Sequence, residues 1–283
     1  MQFKPLTRAA LTLAIACLGS SPQAAVVLDF NNFSDTTGLT LNGNAAQVGD
    51  VLRVTPALDG QAGSFFSTNT VSLAAGASFS TYFQFRFTSP DLFFCDGFGC
   101  GADGLVFVVQ TVANNVGGAG GGIGYANIAN SVGIEFDSWL NGELGDESSN
   151  HVGIDRNGSL SSLTQRTVLE ADFNNGDIWS AWVDYNASTT LIEVRLTTGS
   201  ARPADAFLSL NIDLASTLGS NEAFVGFTSG TGASHANHDV LSWQLADNYE
   251  PIDPGNRVPE PGSLPLLLLG LSALGWSARR RTG

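Results

Sequence analysis

Between Val132 and Asp155 the chain sets carboxylates, an amide and an imidazole at intervals that could hold a metal ion. A strand running Val132 to Trp139 would carry Glu135, Asp137 and Trp139 on one face, because strand side chains alternate, and would turn Ile134 and Phe136 to a core. Two carboxylates side by side repel each other unless a cation or a proton separates them. The loop that follows offers Asn141, Glu143, Asp146 and Glu147 and ends at His151, after which Val152 to Asp155 resume a strand. Asp, Asn and carbonyl oxygens suit calcium, whereas carboxylates joined by an imidazole suit manganese or another transition metal.

Two rival chemistries fail on spacing. An EF-hand loop starting at Asp137 would match Asn141 and Gly142, but its third position would be Trp139 and its twelfth Ser148, neither of them the ligand type required. Glycoside hydrolases of the laminarinase kind carry Glu-x-Asp-x-Glu on one strand face, with the outer two carboxylates doing the chemistry. Here Trp139 takes the third position and the acid/base partner is missing.

The run Glu135, Asp137, Trp139, Asn141, Asp146 and His151 resembles the metal loop of the L-type, or legume-type, lectins at all six positions. The resemblance implies a concanavalin A-like jelly-roll sandwich with a manganese-type site from Glu135, Asp137, Asp146 and His151. It also implies a calcium site from Asp137, the Trp139 carbonyl, Asn141 and Asp146, with both aspartates bridging the ions. Ala102, Asp103 and Gly104 look like the family's first sugar loop, in which the Asp accepts sugar hydroxyls and follows a cis peptide. Gly117 to Gly124 resembles the second, where a backbone amide must approach the ligand and only Gly leaves room, Gly121 matching best and Gly120 next. Gly232 to Asn237 occupies the loop that sets sugar preference, with Ala233 and Ser234 as contacts. On this reading Asp103 accepts, Asn141 and Gly121 donate, and Trp139 covers the sugar's apolar face.

The elements that must position these residues are strands. The chain has 283 residues, 43% hydrophobic and only 13% charged, with 33 Gly, a composition that argues against disorder, coiled coil or helix bundle. Short apolar or alternating runs recur at Val26 to Phe30, Val51 to Val54, Phe79 to Phe87, Leu105 to Val109, Trp179 to Tyr185, Leu191 to Leu196, Phe224 to Phe227 and Val240 to Leu245. Thr81, Phe83, Phe85 and Phe87 alternate at a period of two, and Asn186 to Thr190 joins two apolar strands as a hairpin. One all-β antiparallel sandwich over residues 26–246 follows. From Val26 to Ala246 there are six arginines and no lysine against 22 acids, a field that repels a phosphate backbone and excludes nucleic acid as a partner while attracting divalent cations.

Both termini read as addresses. Lys4 and Arg8, then Ala9 to Leu18, then small residues to Ala25 form a secretory signal peptide over 1–25; Cys17 lacks the Leu three residues earlier that lipoprotein processing prefers. Residues 247–258, with Pro251 and Pro254, read as a linker. Over 259–283, Pro259-Glu260-Pro261, an apolar run from Leu264 to Ala278 and Arg279 to Arg281 together resemble the PEP-CTERM sorting signal of Gram-negative bacteria. That implies transient membrane association through the tail and removal by an exosortase; a plain C-terminal anchor is the alternative. In an oxidising compartment Cys95 and Cys100, separated by a Gly-containing link, read as a small disulfide loop.

The reading is therefore a secreted or cell-surface carbohydrate-binding protein dependent on calcium and manganese, with saccharide or exopolysaccharide as partner and no enzymatic activity. A metal-stabilised matrix protein without sugar affinity is the second reading, and a glycan hydrolase on the same sandwich the third. Legume relatives pair through sheet edges and back faces, which leaves a homo-oligomer open.

Overall fold

The computed structural model describes residues 26–254 apart from 74, 75, 98 and 119, so the leader over 1–25 and the tail over 259–283 lie outside the described residues. The strands are β1 (Val26–Phe30), β2 (Leu39–Gly43), β3 (Ala46–Val48), β4 (Val51–Thr55), β5 (Ala62–Ser67), β6 (Val71–Ser72), β7 (Phe79–Thr88) and β8 (Gly104–Gln110). They continue with β9 (Ser131–Asp137), β10 (His151–Arg156), β11 (Ser159–Thr167), β12 (Trp179–Asn186), β13 (Leu191–Thr197), β14 (Leu208–Asn211), β15 (Glu222–Gly230) and β16 (Asn237–Ala246). The one α-helix among the described residues, α1 (Leu214–Leu218), is five residues long and capped by the Asp213 side chain.

Two antiparallel sheets result. One runs β14-β13-β12-β7-β16-β4-β3 with β1 added alongside β16; the other runs β11-β10-β9-β8-β15-β5-β2 with β6 on β15. The expected all-β antiparallel sandwich is thus observed. Every strand expected from the sequence forms, within a few residues at its ends, and β12 and β13 pair as the expected hairpin.

Alternation decides what lies between the sheets. Phe83, Phe85 and Phe87 of β7 point inward and are fully buried. Phe83 meets Phe107, Phe136 and Phe227 of the facing sheet at centroid distances of 5.8, 5.7 and 4.9 Å, and Phe85 meets Phe136 at 4.8 Å. Each such ring contributes about 1.5–3 kcal/mol by leaving water, with a further share from edge-to-face geometry. A second, smaller cluster lies on the outer face of the β8–β9 sheet, where Val106 and Val108 are covered by Ile123, Tyr125 and Ile128 of the segment between β8 and β9. This cover holds the glycine-rich loop against the sheet, and Thr228 Oγ1 fastens it by donating to the Ile123 carbonyl at 2.8 Å.

Candidate functional site

Four chain segments meet at one end of the second sheet, where the ladder aligns the ends of four strands. Gly230 pairs with Gly104, Gly104 with Asp137, and Asp137 with His151, one row across β15, β8, β9 and β10. Asp103, the end of β9, the start of β10 and the Gly230–Gly232 segment are therefore neighbours by register. Gly104 sits in the row at φ +141, and a Cβ there would run into the Phe136 carbonyl, so the close approach of β8 to β9 beside Asp137 requires glycine.

Alternation on β9 turns Glu135 and Asp137 to the outer face while Val132, Ile134 and Phe136 enter the core, as the sequence predicts. Glu135, Asp137 and His151 each offer a ligand atom, all within 4.8 Å of one another, and all three residues are buried. Asp146 stands at the rim of the cluster, with Oδ1 3.9 Å from His151 Nε2 and Oδ2 accepting the Asn141 N–H at 2.7 Å. Trp139 is half-buried and its N–H donates to Asp137 Oδ1 at 2.7 Å, which ties the loop back to the strand end.

The electrostatics of this cluster call for a counter-charge. His151 Nδ1 lies 2.7 Å from the Ser148 carbonyl, an acceptor that can only take a proton, so Nε2 of the neutral ring is a lone pair. That lone pair faces Glu135 Oε1 at 3.2 Å. Two acceptors at that distance need a proton or a cation between them. Burial lowers the imidazole's proton affinity, but the hydrogen bond and charge of Glu135 outweigh it and leave His151 raised. Asp137 is pushed well above the usual carboxylate range, first by burial and then by the charge of Glu135. Asp146 is raised by burial as well. Each of these shifts favours the protonated form, the neutralising role that a bound cation would otherwise take.

Several buried oxygens next to the cluster lack a partner, Ser138 Oγ and Asp155 Oδ2 among them. Asp103 Oδ2 and Asn141 Oδ1 accept no hydrogen bond, although a buried acceptor ordinarily finds one. Asp103 is 4% exposed and burial pushes its carboxyl up to about 7. The Ala102–Asp103 peptide is cis. Its backbone is held on both sides, Asp103 N–H donating to the Gly230 carbonyl at 3.2 Å and Ser138 N–H to the Asp103 carbonyl at 3.0 Å. A Cβ at Gly121 would lie 3.1 Å from Asn141 Nδ2, and one at Gly232 3.7 Å from Asp103 Oδ2, so both glycine loops close on this pair. Ala233 is exposed beside them, while Ser234 is buried with its hydroxyl donating to the Phe94 carbonyl at 3.0 Å. The structure joins Cys95 to Cys100 in a disulfide, as the sequence predicts.

Two polar residues of this region escaped the sequence reading. Asp155 and Ser162 are turned to the same face as Glu135, the single Ser162 hydroxyl lying between Glu135 Oε1 and Asp155 Oδ1 within hydrogen-bond distance of both. Asp155 is buried and raised, first by desolvation and then by Glu135. The signal was the period of two from His151, which puts Gly153 and Asp155 beside it.

Two antiparallel sheets stacked in this order form the sandwich of the legume-type lectins. The sequence profile of the Legume lectin domain matches residues 25–260, and the chain belongs to that family. Residues 257–281 match the PEP-CTERM protein-sorting motif. An L-type lectin-domain containing receptor kinase VIII.1 of Arabidopsis thaliana is 29% identical over 219 residues, 75% of this chain and 28% of the kinase, so the chain spans little more than a quarter of that relative. A seed lectin of Styphnolobium japonicum is 31% identical over 191 residues, 64% of this chain and 61% of the lectin. Among solved structures, a lectin from Bauhinia forficata in complex with GalNAc superposes with a TM-score of 0.67 at 23% identity, covering 77% of this chain and 96% of that one. The matched domain is of the lectin type, which is not catalytic.

Proposed function

We propose that this protein is a metal-dependent carbohydrate-binding protein, exported and sorted to the surface or extracellular matrix of a Gram-negative bacterium, where it binds saccharide or exopolysaccharide. One observation carries the reading: Asp103 Oδ2 and Asn141 Oδ1, both buried and unpartnered, flank the buried Glu135, Asp137 and His151, whose ligand atoms converge within 4.8 Å and whose carboxylates repel each other unless a cation or a proton lies between them. Residues 1–25 serve as the export signal, 26–246 as the lectin domain, 247–258 as linker, and 259–283 as the sorting tail removed by an exosortase. The sorting motif supports this routing.

The donor set fits the metals that the family implies. Glu135, Asp137, Asp146 and His151 would hold manganese or another transition metal, and Asp137, the Trp139 carbonyl, Asn141 and Asp146 would hold calcium. A cation held by these residues would supply the positive charge that their carboxylates lack. The chain's own groups do the recognition. Asp103 accepts from sugar hydroxyls, Asn141 Nδ2 donates while Oδ1 is turned to calcium, and Gly121 N–H donates. Gly120 is the weaker match because its N–H is taken by the Thr231 carbonyl at 3.1 Å. Trp139 covers the apolar C–H face, and Ala233 and Ser234 line the remaining side, Ser234 chiefly by shaping the loop.

A screen of the full chain against an array of glycans, run with calcium and manganese and repeated after chelation, tests the reading. Binding that chelation abolishes is the expected result. No binding in either state, with both metals shown to be present, would overturn it in favour of a metal-stabilised matrix protein.

A further inference from the structure

Directly ahead of Asp103, a bend at Leu92 to Phe94 leads into a short hairpin whose isolated bridge pairs Cys95 with Cys100. Cys95 and Cys100 close it through the disulfide, and Asp96 N–H donates to the Gly99 carbonyl at 2.9 Å. The hairpin is fastened to both loops of the sugar site. Asp96 Oδ2 accepts the N–H of Leu140, the residue between Trp139 and Asn141, at 3.1 Å, and Asp96 Oδ1 accepts the Ser149 hydroxyl at 2.5 Å. On the other side Asp91 N–H donates to the His235 carbonyl at 2.8 Å, and Phe94 offers its carbonyl to Ser234.

On this pinned backbone three consecutive apolar residues face water. Leu92 is 75% exposed, Phe93 94% and Phe94 54%, with Leu140 beside Trp139 at 44%. Single exposed apolar residues are ordinary, but a contiguous set on a fastened hairpin beside a binding site marks an interaction surface. Charge selects the occupant. From Phe87 to Asp155 the sequence contains no Lys or Arg, and Asp91, Asp96 and Asp103 sit within the hairpin and its continuation. An anionic lipid surface or a nucleic acid would be repelled there. A neutral sugar ring has an apolar C–H face that lies against an aromatic ring without any counter-charge.

We propose that Leu92, Phe93 and Phe94 form an extended subsite that packs against the sugar units adjoining the one held at Asp103 and Asn141, so that the protein reads neutral polysaccharide chains in preference to single sugars. The proposal rests on the assignment of Asp103 and Asn141 as the sugar site, and it places the chain-length dependence of binding on a feature outside that site.

The test compares the full chain with its Phe93→Ser and Phe94→Ser variants, all loaded with calcium and manganese. Probes are galactose, N-acetylgalactosamine, glucose and mannose, short linear oligomers of each, and phosphatidylethanolamine–phosphatidylglycerol vesicles. The full chain should bind oligomers of its preferred sugar about tenfold or more tighter than the monosaccharide. Phe93→Ser should remove most of that gain and leave monosaccharide affinity within about twofold. Phe93 is so exposed that truncation leaves the core intact, which an unchanged thermal midpoint verifies. Equal affinity for monosaccharide and oligomer, or a gain kept by both variants, overturns the subsite and leaves the primary site standing. Failure to bind any sugar overturns both. Vesicle binding lost in the variants, with no gain along the sugar series, overturns the proposal in favour of a lipid surface.

Discussion

Glu135 and Gly153 face each other across the β9–β10 ladder, and the Glu135 carboxylate fills the volume that a side chain at 153 would need. Ser162 Oγ closes the same space from β11. The absent Cβ is what lets a carboxylate lie flat against the sheet with Oε1 toward His151. Gly153→Ala should push Glu135 off the cluster. Overpacking of this kind costs about 1–3 kcal/mol. We expect a lower thermal midpoint together with a fall in bound transition metal, measured by elemental analysis of the purified protein. A variant that keeps its full metal content would show that Glu135 is not a ligand.

Metal and proton should substitute for each other at this end of the sheet. Asp103 at about 7, and Asp137, Asp146 and Asp155, all raised chiefly by burial, bind protons in the folded metal-free protein at pH values where the unfolded chain has lost them. An unfolded Asp titrates near about 3.9, so for Asp103 the window runs from there to about 7, and stability falls as pH rises through it. His151, also raised, contributes stability below about 6.5 and loses it as pH rises. His238, pushed down to about 3 by burial and then by Arg53, runs the opposite way, one group against several. Each group contributes a slope of at most about 1.4 kcal/mol per pH unit inside its window. Thermal melts of the chelated protein should therefore show a midpoint that declines from pH 5 to 7.5. Calcium and manganese should raise the midpoint most at pH 7.5 and least at pH 5. A metal effect equal at both values would exclude linkage between the cations and these carboxylates.

How far such a site is legible in a sequence depends on what each residue is doing. Glu135, Asp137, Asn141, Asp146 and His151 could be read because their spacing is fixed by one strand, one loop and the start of the next strand. Asp103 and Gly121 could be placed only through family likeness, since they join the cluster by ladder register and by the cover that Ile123 and Tyr125 provide, neither of which has a local signature. Strand β11 has no such signature because, as an edge strand whose residues are exposed or half-buried apart from Leu160, Ser159 to Thr167 lacks apolar alternation. Its turn was nevertheless written in Asn157-Gly158, both at positive φ, a pair that favours a two-residue hairpin. The exposed Leu92 to Phe94 set could not be read as surface at all, because an apolar triplet in sequence looks like core.

Asp103→Asn separates recognition from folding. The carboxyl is buried with one oxygen unpartnered, so exchanging it for a neutral amide of the same shape removes the desolvation of a charge and should leave the thermal midpoint unchanged or higher. A hydrogen bond to a charged acceptor is worth about 1.5–3 kcal/mol, so sugar affinity should drop by about 10- to 150-fold. Calorimetric titration of the sugar selected on the array, with metal content measured alongside, checks both halves. Retained affinity would remove Asp103 from the sugar site.

Gly121 offers the most selective probe of the proposed second sugar loop. Its backbone is not in the left-handed region, so Ala can be accommodated without strain. The new methyl would meet Asn141 Nδ2 at 3.1 Å and Oδ1 at 3.6 Å. The 3.1 Å contact requires the amide to give by a few tenths of an ångström, a shift that misdirects both the Asn141 donor and the neighbouring Gly121 N–H. Gly118→Ala is the control, because a Cβ there meets nothing within 4 Å and adds no contact to the site. We expect Gly121→Ala to weaken sugar binding about tenfold or more while Gly118→Ala stays within about twofold. Thermal midpoints of both variants should remain close to that of the parent protein. Equal losses in the two variants would mean that loop flexibility, and not the approach of Gly121 to Asn141, governs affinity.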